Sequence, residues 1–295
     1  MEIVYTLIKE IEKYHAHVAE DKEKEITRRE LLTEHIDCTM KYFEELAREK
    51  QLDKMLERFV RQMFGELSME GIQFLREMIR GISLFHDMGK INPDFQKQAM
   101  HNQQIAKNNM FWHIGKRHSL ISAIMYIDYY VEELKQKVKE KEDKEKLRPL
   151  IIYHAYVIER HHSDLKNFQE FISSLKEGAG KDVIDVFLEE KCEAYQKKFG
   201  LTEKRLLNIL KAIDNTDWNI EKNIVLYTYV KLLYSFLVAS DYYATAEFMT
   251  QKEIQQYGNL DEIQKWVDIY ENTSLMKGIR KYQTEQYPKT AEDTF

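Results

Sequence analysis

The sequence predicts an all-α fold, and three observations carry that prediction. The first is scarce turn chemistry: ten glycines and three prolines among 295 residues, about 4% where ordinary usage is about 12%. A chain so poor in these residues is a poor candidate for a hairpin-rich sandwich or a Gly-rich nucleotide fold. The second is apolar spacing near 3.6 residues that recurs along the chain. The third is balance: 32% charged residues beside 43% hydrophobic ones describe a globular chain rather than a disordered one. A chain this long can bury a sizeable core without a staple.

The elements follow from the spacing. Leu32, Ile36, Thr39, Phe43 and Leu46 share one helical face. So do Leu75, Ile79 and Ile82, then Leu120, Ile124, Ile127, Val131 and Leu134. Further faces are Ile151, Ala155 and Ile158, and Leu226, Val230, Leu233 and Leu237. Each set predicts a helix with that face turned to a core. Asn92-Pro93 reads as an N-cap followed by proline at the first helical position. Gly178-Ala179-Gly180 and Gly200 read as helix stops. The mixed-charge run Lys135–Arg148, closed by Pro149, reads as a solvated helix end and loop. Residues 1–283 are expected to form one helical domain, and 284–295 a loose tail or linker.

Composition also excludes classes. The net charge of −6 argues against a large nonspecific duplex-DNA binder, because such binding runs on neutralised phosphates. No apolar run approaches 18 residues, so no membrane span is expected. The start, MEIVYTLIKEIEKYHAH, lacks the order of a signal peptide. Cys38 and Cys192 form neither a CxxC nor a disulfide framework. The expectation is a soluble protein of a reducing cytosol.

Chemistry enters with histidines on apolar faces. His35 is three residues after Leu32, His86 four after Ile82, and His162 four after Ile158. Asp241 falls four after Leu237 on the longest apolar helix. A carboxylate turned inward is costly unless paired or bound to metal. One such histidine is ordinarily a core residue, but four ligand-type side chains from four helices point to a divalent transition metal such as Mn, Fe, Co or Ni. In Phe85-His86-Asp87-Met88-Gly89-Lys90, Gly89 suits a left-handed helix stop. His86 and Asp87 then share the negative end of a helix dipole, which favours a cation. Regular helix geometry sets neighbours about 100° apart, so both reach one site only at a frayed end. Asp87 has two oxygens and can bridge. His118, near the start of a helix, and His161-His162, at the end of another, would with Asp87 suit a second metal. Two metals roughly 3.5–4 Å apart serve in-line attack on a phosphate.

The order His35, His86-Asp87, His118, His161-His162, Asp241 resembles the HD superfamily of metal-dependent phosphohydrolases, in its two-metal members. The stretch HDMGKINPDFQ (86–96) resembles the HD-nuclease domain of the CRISPR-associated helicase-nuclease of type I systems, which reads His-Asp-x-Gly-Lys and then Asn-Pro-x-Phe-Gln. Arg117-His118-Ser119-Leu120-Ile121-Ser122 resembles that family's Arg-His-Glu-x-x-Ser. Asp241-Tyr242-Tyr243-Ala244-Thr245 resembles its distal Asp-x-x-Ala-Thr/Ser, and Ala16-His17 an Ala-His near its start. The likeness runs from about residue 15 to 250. Ser119 and Arg160 depart from the family pattern without removing a ligand.

The resemblance implies an HD helical bundle with two metals, one held by His35, His86, Asp87 and Asp241, the other by Asp87, His118, His161 and His162. It implies Lys90 against the scissile phosphate or the attacking water. It further implies hydrolysis of single-stranded DNA displaced by a guide-RNA surveillance complex, with a helicase as partner. No GxxxxGK[ST] loop occurs in the chain, so that helicase is a separate protein or a fused part beyond Phe295.

Two other functions share parts of this pattern. A phosphohydrolase of nucleotides or cyclic dinucleotides would use the same metals, but the Gly-Tyr-Pro signature of cyclic-dinucleotide HD enzymes is absent. A non-catalytic helical module would have lost ligands, and none is lost. Lys107, Lys116, Arg117 and Arg160 with Phe111 and Trp112 are candidates for a basic, aromatic strand path, or for ordinary surface charge beside a core aromatic. His154 reads as a satisfied core histidine, His17 as either a support of the site or a surface residue. His15, His101 and His113 read as surface residues.

Overall fold

The computed structural model describes residues 2–286 apart from 22, 24, 107, 109, 215–218 and 256–259. The chain divides into two compact units, Met1–Lys252 and Glu253–Phe295. That division does not fall at the expected boundary after residue 283. In the second unit, α-helices at Leu260–Glu271 and Ser274–Gln286 take in the first three residues of the expected tail. The rest of that tail lies outside the described residues.

The first unit is the helical bundle. It opens with α1 (Glu2–Tyr5) and a hairpin of β1 (His15–Glu20) and β2 (Ile26–Leu31), followed by α2 (Leu32–Glu49), α3 (Leu52–Phe64) and α4 (Met69–Phe85). A 3-10 turn at Met88–Ile91 leads to α5 (Pro93–Gln98), then α6 (Ser119–Lys137), α7 (Lys141–Arg160), α8 (Phe168–Glu177) and α9 (Ala179–Leu188). The bundle ends with α10 (Glu203–Asp214) and α11 (Ile220–Thr250), and the helices of the second unit are α12 and α13.

The apolar faces fold as their spacing predicts. The stripes of α2, α4 and α7 are fully buried, and on α6 and α11 only Val131 and Leu226 remain partly accessible. Each buried Leu or Ile contributes roughly 1.5–3 kcal/mol on leaving water. Helices α6 and α7, linked by three residues, pack most extensively, and both face α4. Asn92 caps α5 as expected, its side chain accepting from Asp94 N at 3.1 Å with Pro93 at the first position.

The one hairpin among the described residues, β1–β2, leaves the helical expectation standing. Four local expectations need correction. The charged run begins as the expected helix end and loop, with α6 ending at Lys137 and three residues following, but from Lys141 it is helix, and α7 runs through Pro149. Proline removes one backbone donor, and Leu147, Leu150 and Ile151 on either side are fully buried, so packing holds the helix there. Gly180 lies inside α9 and Gly200 in the segment before α10, so of these three glycines Gly178 alone stops a helix. Gly89 is not left-handed; among the described glycines only Gly65 and Gly115 have positive φ. Finally, α11 is long and apolar enough to cross a membrane by length and composition alone, with mean hydropathy 1.3 over 18 residues. Lys231 interrupts that window, and the helix buries Tyr229, Leu233 and Leu237 in the bundle.

Candidate metal centre

The site is assembled largely from helix ends. His35 stands in the first turn of α2, where the Glu34 carboxylate accepts from Leu31 N at 2.9 Å and anchors the helix start. His86 is the C-cap of α4, and Asp87 follows with φ −112° and ψ 2°. That departure from helical backbone lets neighbouring side chains aim at one point, which a continuous helix forbids. His118 is the N-cap of α6, and His161 is the C-cap of α7 with His162 beyond it. Asp241 alone comes from mid-helix, on α11. Two of these ends, those of α4 and α7, are negative dipole poles suited to a cation.

All seven predicted ligands meet. Two groups of four converge, each with its ligand atoms within 4.8 Å of one another: His35, His86, Asp87, Asp241, and Asp87, His118, His161, His162. Asp87 belongs to both. Its Oδ2 lies 3.1 Å from His35 Nε2 and 3.4 Å from His86 Nε2, and its Oδ1 lies 3.0 Å from His118 Nε2 and 3.5 Å from His161 Nε2. Asp241 Oδ1 is 3.1 Å from His35 Nε2. Asp87 is fully buried, whereas Asp241 and His162 keep access to solvent.

The ring nitrogens are set for ligation. His86 Nδ1 donates to Ser83 O and His161 Nδ1 to Ile158 O, each at 2.6 Å. A carbonyl only accepts, so Nδ1 carries a proton, and in the neutral form that binds metal each ring turns an Nε2 lone pair to the cluster. Nε2 of His35 and His86 are 3.3 Å apart, and Nε2 of His118 and His162 3.0 Å. Ring nitrogens that close need a proton or cation beside them. Both Asp87 oxygens and His161 Nε2 are buried without a well-formed hydrogen bond, although imidazole and ammonium nitrogens crowd them. Buried polar atoms are ordinarily satisfied. This donor set, all imidazole and carboxylate, fits divalent transition metals.

Electrostatics agree. Burial opposes ionisation of Asp87, yet Lys90, His86, His118 and His161 hold its carboxyl well below the usual range. Asp241 is held low in the same way, by His35 and His86 against its burial. Burial pushes His118 down to about 4, which keeps it neutral and free to ligate. Burial also opposes charge on His35, but Asp241, Asp87 and Glu30 together raise it to about 10. Without a metal, a proton on His35 balances the carboxylates.

The residues after His86-Asp87 hold the turn. A Cβ on Gly89 would lie 2.1 Å from His118 O, so glycine is required for the close approach of α6 rather than for its backbone angles. Gly89 N donates to Ser122 Oγ at 2.8 Å. Asn92 Nδ2 donates to Gly115 O and Arg117 O, fixing the chain just before His118. Phe95 stands edge-on to His118 with centroids 4.9 Å apart. Gln96 accepts from His15 N at 3.1 Å and donates to His15 O at 2.8 Å, clasping β1 as a neighbouring strand would.

Lys90 departs from the expectation. It is buried, and Nζ contacts Asp87 Oδ2 at 2.6 Å, Ala16 O at 3.1 Å and His17 Nε2 at 3.4 Å. Its three donors are engaged within the protein, so its visible work is to neutralise Asp87. His17 sits at the site, its ring centroid 4.5 Å from that of His35. Glu30 escaped sequence reading altogether. It faces His17 across the hairpin and is 5% exposed; the available signal was one acidic residue five positions before His35.

The remaining candidates separate. His154 is a core histidine, bonded to the hydroxyls of Tyr126 at 2.8 Å and Tyr229 at 2.6 Å. Phe111 is fully buried and offers no stacking face, whereas Trp112 is 75% exposed beside exposed Lys116 and Arg117. Arg160 folds against Tyr156 and Glu159. Lys107 lies outside the described residues. Of the three expected surface histidines only His101 is exposed; His15 and His113 are partly buried.

The profile of one protein family, described as Cas3, HD domain, matches residues 19–241. No curated protein and no solved structure matches the chain. The matched span contains all seven converging ligands and ends on Asp241, and the chain belongs to the Cas3 HD domain family, metal-dependent HD hydrolases of CRISPR systems.

Proposed function

We propose that this protein is a nuclease that hydrolyses phosphodiester bonds of single-stranded DNA during CRISPR interference, with two metals at its site. The observation that carries the reading is Asp87, one buried carboxylate whose two oxygens face two separate sets of ligands. His35, His86, Asp87 and Asp241 would hold one ion, and Asp87, His118, His161 and His162 the other. Bound there, the ions would supply Lewis acidity for the phosphoryl oxygens and acidify the attacking water.

The chain's own residues do the rest. Ser83 and Ile158 carbonyls hold His86 and His161 in one tautomer. Lys90 offsets the Asp87 charge, which lets a carboxylate stay ionised in a buried place. Exposed Trp112 offers a stacking face, and exposed Lys116 and Arg117 offer phosphate contacts, on the segment that leads into His118. These few cations stand on a chain of net charge −6. A helicase and a guide-RNA surveillance complex in the cytosol are therefore proposed to deliver the strand.

The test is a metal panel. Purified protein is expected to degrade single-stranded DNA with Mn, Co or Ni, and EDTA and Asp87→Ala are each expected to abolish this. Turnover of nucleotides with no action on DNA would instead support a small-molecule phosphohydrolase.

A further inference from the structure

The two metal half-sites share Asp87 but are not braced alike. His86 and His161 rest on backbone carbonyls. Of the five ligand histidines, His35 alone has its Nδ1 within 4 Å of a carboxylate oxygen, Oε2 of Glu30 at 3.4 Å, and that buried nitrogen has no well-formed hydrogen bond. The same Oε2 lies 2.6 Å from His17 Nδ1. His17 and Glu30 are directly paired across β1 and β2, so the hairpin register brings them together. His17 Nε2 then faces Lys90 Nζ, and Lys90 Nζ faces Asp87 Oδ2.

A closed polar circuit results, running His35, Glu30, His17, Lys90, Asp87 and back to His35. One assignment of protons fits it once a cation stands between His35 Nε2 and Asp87. His17 donates from Nδ1 to Glu30, and His35 turns a protonated Nδ1 toward the same oxygen at 3.4 Å, an approach that a small ring rotation would close into a bond. Lys90 donates to His17 Nε2, to Ala16 O and to Asp87. His35 keeps Nε2 for the cluster. Glu30, at 5% exposure, is sealed from water, so its charge acts on His35 at close range.

We propose that Glu30 is a positioning residue of the His35 half-site: it fixes the Nδ1–H tautomer of His35 and raises the donor strength of Nε2, with no equivalent group serving the His118–His161–His162 half. The inference rests on the two-metal reading. An outer carboxylate behind a ligating imidazole orients the ring and strengthens its bond to metal, and loss of such a partner typically costs roughly 10–100-fold in metal affinity.

The experiment titrates metal-free protein with Co²⁺ alone, followed by calorimetry and by the visible absorption of bound cobalt. Wild type is expected to take up two ions. Glu30→Gln, which preserves shape and removes charge, is expected to weaken one of the two steps by roughly 10-fold or more and to alter the absorption band of that step only. Glu30→Ala is expected to weaken it further. In the zinc-loaded protein, ¹⁵N–¹H correlation should show His35 protonated at Nδ1 in wild type and a mixed tautomer in Glu30→Ala. Unchanged cobalt binding in Glu30→Gln overturns the proposal while leaving the metal site standing. Equal weakening of both steps with a lowered Tm also overturns it, since Glu30 would then only support the fold. A wild type that binds no transition metal overturns this proposal and the two-metal reading together.

Discussion

Two buried histidine environments lie along one helix, α7, and they differ in kind. His154 has both ring nitrogens bonded to tyrosine hydroxyls, from Tyr126 and Tyr229. Seven residues on, His161 has one nitrogen anchored to a carbonyl and the other facing Asp87 without a well-formed bond. Burial holds His154 neutral, its pKa pushed down to about 3, whereas the Asp87 carboxylate lifts His161 upward against its own burial. The lesson is that burial does not distinguish a ligand from a core residue. What distinguishes them is whether the second nitrogen is already satisfied by the fold.

The strongest break of this comparison comes from Asp87→Ala. It should remove cleavage of single-stranded DNA to background and abolish uptake of the second metal in calorimetry, while His154→Phe should leave metal stoichiometry at the wild-type value. Loss of metal in His154→Phe would erase the distinction. Gly89→Ala is expected next, because its Cβ must displace the His118 carbonyl from 2.1 Å. Overpacking of this sort costs about 1–3 kcal/mol, so denaturant unfolding should show that loss together with weakened metal binding.

His154→Phe itself strands the Tyr229 hydroxyl, whereas Tyr126 keeps its bond to Met78 O. An unsatisfied buried group costs about 1–3 kcal/mol, which a Tm shift without loss of activity would verify. The smallest effect is acid sensitivity. The folded pKa of His154 lies below the unfolded value of about 6.5, so the unfolded chain binds the proton more readily. Its contribution is present in full above pH 6.5 and falls progressively as pH drops toward 3. His154→Gln should flatten that part of the stability profile measured on metal-free protein; an unchanged slope would contradict the neutral, satisfied assignment.

Much of the centre was legible because ligand types recur at helix ends and on apolar faces. His35, His86, His118, His161, His162 and Asp241 each follow an apolar stripe or a cap signal in one segment, and order along the chain completes the set. The role of Gly89 was not legible, since a left-handed stop and a close backbone approach leave the same letter in the sequence. The Glu30–His17 pair was hidden for another reason. It depends on the register of a hairpin with irregularities between His15 and His17 and between Ala19 and Glu20, and a one-residue slip would turn Glu30 to the other face.

By itself, then, the sequence determined a helical bundle and the identity of the ligands, because helical period and the chemistry of imidazole and carboxylate are local properties. Only the tertiary structure decided that Lys90 is buried against Asp87 rather than exposed, that His17 stands at the site rather than on the surface, and that a carboxylate from β2 stands behind His35. Those outcomes depend on which side chains from distant segments share one buried volume, and packing alone sets that.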